Sequence, residues 1–206
     1  MADHGAPRES SAPRGGLDVP RSLGIGEVAR RAGLFRWVES RVAEILGGWI
    51  GSVPEPDATA LLGAHCHMFA WHADLWLDRV PRLPGTDPDA LTLPANAGMD
   101  DFFDALAGSG SSIEKLLGVY RVLVPDLVAA YSQDLDATDE ITDAPTARVL
   151  GLVLRDHVDC AREGEALIRS LVGSTELETR AVAHESRLAA MLAAAGGVAG
   201  PTTSVN

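Results

Sequence analysis

The chain has 206 residues, 46% of them hydrophobic and 22% charged, and 29 acidic against 17 basic groups set a formal net charge of −12. That describes one globular domain with enough chain to bury a core. So acidic a chain lacks the cationic face that a phosphate backbone or an anionic bilayer requires, which argues against nucleic acid and membrane as partners.

Every apolar stretch is broken by charge well before the roughly 18 residues of a membrane span. Cys66 and Cys160 are too few for a disulfide scaffold, and a reducing cytoplasm is the simplest setting. Residues 1–22 are rich in Pro, Gly and Ser, carry Asp3, Arg8, Glu9 and Arg14, and have no apolar centre. They predict a disordered tail rather than a secretory leader. A single helical domain is expected over 23–198, with a disordered end at 199–206.

The first helix is predicted from about Gly26 to Trp49, where Phe35, Val38, Val42, Ile45 and Trp49 recur at steps of three and four. Pro54 and Pro56 mark a short connection. A second helix starts near Asp57, a suitable N-cap, and ends before Pro81. Its inward stripe reads Leu61, His65, Met68, His72 and Leu75. Residues 82–110 hold Pro84-Gly85, Pro88 and Pro94, and one short helical piece around Asp101–Ala107.

The third helix opens on Ser111-x-x-Glu114, a capping-box pattern, and Pro125 inside it predicts a kink. The fourth begins near Pro145 and reaches about Val172, with Leu150, Val153, His157, Ala161, Gly164, Ile168 and Leu171 inward and Gly173 ending it. Thr175-x-x-Glu178 caps a fifth helix reaching about Ala195. Two hairpins with short loops, joined by a link of about 30 residues, predict an all-α, ferritin-like four-helix bundle with a long crossover between helices two and three, a pattern also compatible with the DinB-like four-helix group.

A di-iron centre in such a bundle takes a Glu from each of two helices and Glu-x-x-His from each of the other two. Residues three apart share a helical face, so both reach the metal pair. Here Leu62 precedes His65 by three, Phe69 precedes His72, and Leu154 precedes His157. No inward histidine has its glutamate. His65 and His72 are roughly 10.5 Å apart along a straight helix and cannot easily share one ion. They are read either as hydrogen-bonded core histidines or as lining a polar interior pocket.

Cys160 lies three residues after His157, which allows a thiolate nucleophile or, more simply, a packed thiol. Glu39 falls between Phe35, Val42 and Leu46. It either reaches water at the core's edge or faces inward with a pKa raised by desolvation, partnered by Arg121 or a histidine. Tyr120 and Tyr131 line the same interior or belong to the core. Trp71 and Trp76 are expected against helix five or a second subunit, and Met68 as core filler or ligand contact.

The runs His72-Ala73-Asp74-Leu75 through Arg79-Val80-Pro81, Tyr120-Arg121-Val122-Leu123, Asp143-Ala144-Pro145-Thr146 and Asp156-His157 resemble ferritin-like proteins of the actinobacterial, rubrerythrin-related kind. The resemblance covers about residues 30–172. It implies that His72 corresponds to the second-helix histidine ligand, with Phe69 in place of the carboxylate before it. His157 falls where that family has Glu, Cys160 where it has His, and Glu39 corresponds to the first-helix carboxylate.

The sequence reading that follows is a metal-independent enzyme, needing no cofactor, that acts on a small, largely apolar molecule in specialised metabolism. His65, His72, His157 and Glu39 would be the acid–base groups of a cyclisation, rearrangement or elimination. Met68, Phe69, Tyr120, Asp156 and Cys160 would contact the substrate. Its rivals are a non-catalytic ligand-binding or scaffold protein with a lost metal site, and an iron-dependent oxidoreductase with ligands drawn from Glu39, His72, Asp156 and His157. Four Trp and an amphipathic fifth helix give apolar surface suited to a homodimer.

Overall fold

The computed structural model describes residues 24–82, 87–139, 141, 143–171 and 175–201. Every regular element among them is helical: α1 (Ile25–Trp49), α2 (Pro56–Leu77), α3 (Pro88–Leu91), α4 (Ala97–Ala107), α5 (Ser112–Leu117), a π-helical stretch (Gly118–Leu123), α6 (Val124–Ala137), α7 (Ala144–Leu171) and α8 (Thr175–Ala194). None is long and apolar enough to cross a membrane. The expected tail over 1–22 and the stop at Gly173 lie outside the described residues.

Helix directions follow from which residues meet. Phe35 packs on Trp76, and the Cys66 thiol reaches the Ala43 carbonyl, so α1 and α2 are antiparallel. Tyr131 stacks on His157 and the Tyr120 ring lies at Gly164, so α6 and α7 are antiparallel. His65 meets Glu163 and Arg79 meets Thr146, so α2 and α7 are antiparallel too. The continuous α5–π–α6 rod therefore runs parallel to α2, and parallel neighbours need the long crossover at residues 78–111.

That crossover is more helical than the sequence reading allowed. Asn96 caps α4 four residues earlier than expected, accepting from the Met99 N–H and donating to the Ala195 carbonyl. Met99, Phe102, Phe103 and Leu106 are then all fully buried. At about 1.5–3 kcal/mol per large apolar side chain, this face repays ordering the connection. Helix α8 lies over α4, α5 and the π stretch, burying Ala181, Leu188 and Leu192. Much of its apolar face is thus taken up within the chain, while Val182 on it is exposed. The chain stays packed to Gly200, which is buried, and Val198 donates its N–H to Asp126, so residues 199 and 200, expected in the disordered end, belong with the packed bundle.

Three local expectations need correction. The buried stripe of α2 is Ala58, Leu62, His65, Phe69, His72, Ala73 and Trp76, with Leu61, Met68 and Leu75 at the core's margin. Trp76 faces the bundle interior against Phe35 and Tyr131, while Trp71 is 43% exposed. On α7 Cys160, not Ala161, shares the buried face with His157.

Pro125 lacks the N–H that would bond to the Arg121 carbonyl. The helix before it widens into the π stretch, and the Val124 N–H bonds five residues back to Val119. At the start of this rod the capping box is complete, with Ser111 and Glu114 each bonding the other's backbone N–H. Ser111→Ala is expected to cost about 1 kcal/mol, read as a melting temperature lower by about 2–4 °C.

Candidate functional site: a buried Glu-His-His centre

Three helices each send one chemically active side chain to a common point. Glu39 comes from α1, His72 from α2 and His157 from α7, and none has exposed surface. The Tyr131 hydroxyl on α6 donates to Glu39 Oε1 at 2.5 Å, and His157 Nε2–H donates to the same oxygen at 2.8 Å. His72 Nε2–H donates to Asp156 Oδ2 at 3.1 Å, leaving its Nδ1 turned to Glu39 Oε2 at 3.5 Å. Neither of those last two atoms has a hydrogen-bond partner. The Tyr131 ring stacks on His157 at 5.4 Å, and Phe69 closes the other side at 5.1 Å.

The carboxylate is not at the core's edge, and its acidity moves opposite to the expectation. Burial alone would raise the Glu39 pKa, but His157 and His72 beside it outweigh burial and hold it at about 2. Burial pulls on His72 in the other direction, and Glu39 and Asp156 overcome it, raising that imidazole above its usual value. A carboxyl group held ionised is a poor general acid, so Glu39 acts as a fixed buried anion. Arg121, the other expected partner, points away and pairs with Glu165 and Glu185.

His65 belongs to a second group. Its Nδ1 accepts from the Tyr120 hydroxyl at 2.8 Å and lies 3.5 Å from the Cys160 thiol, while Nε2 faces Glu163 Oε2 at 3.2 Å. Burial, then the negative charges of Glu39 and Glu163, push the Cys160 thiol far above its ordinary pKa. It stays protonated, which removes the thiolate reading. Burial also lowers His65, with Glu163 partly offsetting it.

The structure thus brings Glu39, His72, His157, Asp156 and Phe69 together, sets His65, Tyr120 and Cys160 apart, and leaves Met68 at the core's margin. Tyr131 as a Glu39 donor and Glu163 as a His65 partner were not singled out in the sequence. Tyr131 lies eleven residues after Tyr120, three helical turns on, which was the available signal. The centre lies one side chain below the surface, for Asp156 has 37% of its side chain exposed and the ring of exposed Trp71 is 5.5 Å from His72.

A separate small cavity of about 20 Å³ at one end of the bundle is lined by Arg31, Phe35, Trp76, Asp134 and Leu150 among others. That suffices for a water molecule beside the unpaired Asp134 Oδ2. Asp134 pairs with Arg31 at 2.6 Å, yet burial outweighs this half-exposed arginine and lifts its pKa to about 6. A raised acid pKa favours the native state while the group is protonated, below about pH 4, and that advantage is lost as pH rises through about 6. Asp134→Asn is therefore expected to stabilise the protein by about 1–3 kcal/mol at pH 7 and to change little below pH 4. Urea melts across this range check it; equal effects at both ends would show that the charge is not the cause.

No protein-family model matches the chain, and neither a curated protein nor a solved structure is significantly similar to it.

Proposed function

We propose that the protein is a ferritin-like, rubrerythrin-related bundle that performs chemistry on a small, largely apolar molecule at the Glu39–His72–His157 centre, as a tailoring enzyme of specialised metabolism. One observation carries this reading: an ionisable trio from three helices, with no exposed surface, meets where a bundle ordinarily packs aliphatic side chains. Burying such groups is costly unless they are paired, and purely structural work is done as well by apolar residues. The parallel α2 and α5–π–α6 rods joined by a crossover support the ferritin-like assignment. Two free cysteines accord with a cytoplasmic setting.

In this reading Glu39 is a fixed anion anchored by Tyr131, His72 and His157 are the groups that change partners during reaction, and Asp156 orients His72 from the surface side. The test is mass spectrometry of small molecules that co-purify with the protein, followed by turnover of the one found. His72→Ala and His157→Ala should each abolish that turnover, and unchanged rates would remove the proposal.

The filled interior favours a second reading, a non-catalytic ligand-binding or scaffold protein. Phe69 is fully buried against His157, and the Cys160 thiol is tied to His65. A molecule that co-purifies and is never altered would select it.

A further inference from the structure

We propose that Glu39, His72 and His157 form a binding site for a single divalent transition-metal ion. This rests on the reading of that centre as the functional one, and it replaces the sequence expectation of a metal-free site. Among the described residues, these three are the group whose ligand atoms converge, all within 4.8 Å of one another. Ligands about 2.0–2.2 Å from an ion are at most about 4.4 Å apart across it, so movements of a few tenths of an ångström complete the site.

The gap between His72 Nδ1 and Glu39 Oε2 is the decisive feature. Asp156 is a carboxylate and only accepts, so the His72 proton sits on Nε2. A ligating imidazole is neutral, so any proton on Nδ1 would leave as the ion enters; Nδ1 and a carboxylate oxygen lie 3.5 Å apart, both buried without a hydrogen-bond partner. Once that proton is gone, both atoms are donors facing the space that the ion would fill. Two ligands of a tetrahedral ion stand about 3.4 Å apart. His157 Nε2, now bonded to Glu39 Oε1, is the third donor and would exchange that bond for the ion.

The surroundings fit the same assignment. A ligating imidazole usually gives its second N–H to a carboxylate, as His72 does to Asp156, and Tyr131 orients the ligating carboxylate. Two imidazoles and one carboxylate select iron(II), manganese(II) or zinc over magnesium or calcium. Three protein ligands leave a position for water or substrate.

A two-ion centre, which the ferritin-like resemblance implies, does not fit. Bridging needs several carboxylates, and this trio has only Glu39. Phe69 stands one turn before His72, α6 supplies the Tyr131 hydroxyl, and His65 is held by Tyr120 and Glu163.

The test uses the full chain, stripped with a chelator and titrated without oxygen with iron(II), manganese(II), zinc or magnesium in turn. Calorimetry and elemental analysis after gel filtration should give one iron, manganese or zinc per chain and no magnesium. Glu39→Gln and His157→Asn should lose the ion, while His67→Ala, an exposed imidazole on α2, should keep it. Should either core variant fail to fold, Asp156→Asn at the half-exposed rim should still weaken the affinity about 10–100-fold. Two ions per chain, none at about 1 mM metal, or undiminished binding by the variants overturns the proposal. Turnover that depends on His72 and His157 in a protein that binds no metal would end this inference and spare the functional one. A bound ion with no turnover would do the reverse.

Discussion

Glu39→Ala is expected to melt about 10 °C below the wild type, a loss of about 3–5 kcal/mol. The size follows from what it strands. Tyr131 and His157 both donate to Glu39 Oε1, and both are fully buried where water does not reach them. An orphaned buried donor costs about 1–3 kcal/mol, and the missing side chain also leaves a void between α1 and α7. Glu39→Gln keeps the volume and an acceptor oxygen for Tyr131, so it should cost only about 1–2 kcal/mol while removing the charge. Thermal and urea melts of the pair separate packing from charge. A loss below about 1 kcal/mol in Glu39→Ala would mean that the centre relaxes or hydrates, contrary to the geometry described. Saturating metal should raise the melting temperature of the wild type and leave Glu39→Ala where it was, because an ion stabilises only the state that binds it.

The helices were legible because their apolar positions repeat at three and four residues. Which side faces inward was less so, and α2 explains why. From His65, Leu61 and Met68 lie at steps of −4 and +3, while Leu62 and Phe69 lie at −3 and +4. Both sets suit one helical face, and each apolar residue has an apolar neighbour. Packing chose Leu62, Phe69 and Trp76: the Trp76 ring fills the space beside Phe35 and Tyr131, and the Phe69 ring lies against His157. The same ambiguity made Ala161 stand for Cys160 on α7.

Glu39, His72 and His157 were legible as polar residues among inward apolar ones. That they meet at one point was not, because it depends on the register of three helices far apart in the chain. The direction of the Glu39 shift was misread for the same reason: burial is visible in a sequence pattern, while two imidazoles arriving from other helices are not. The π stretch was anticipated only as a disturbance at Pro125. Its form depends on how α4 and α8 pack on Gly118, where a Cβ would meet Leu106 and Leu188.

Gly164→Ala is expected to cost about 3 kcal/mol although it adds one methyl group to a helix that would otherwise favour it. A Cβ there would stand 2.1 Å from Tyr120 Cγ and 2.3 Å from Cδ1, far inside contact distance. The ring has no easy retreat. Tyr120 is 2% exposed, sits in the π-helical turn, and holds His65 through its hydroxyl. Tyr120→Ala removes the obstacle at its own cost of about 3–5 kcal/mol. Adding Gly164→Ala to it should then cost nothing more, a coupling of about 3 kcal/mol in a double-mutant cycle. Simple addition of the two losses would instead place the defect in the α7 backbone. The variant also separates the two buried groups. Displacing Tyr120 disturbs His65 and Cys160, whereas Glu39, His72 and His157 are held by Tyr131 and Asp156. Gly164→Ala should therefore lose stability and still load one metal ion per folded chain, which a single continuous polar core would not allow.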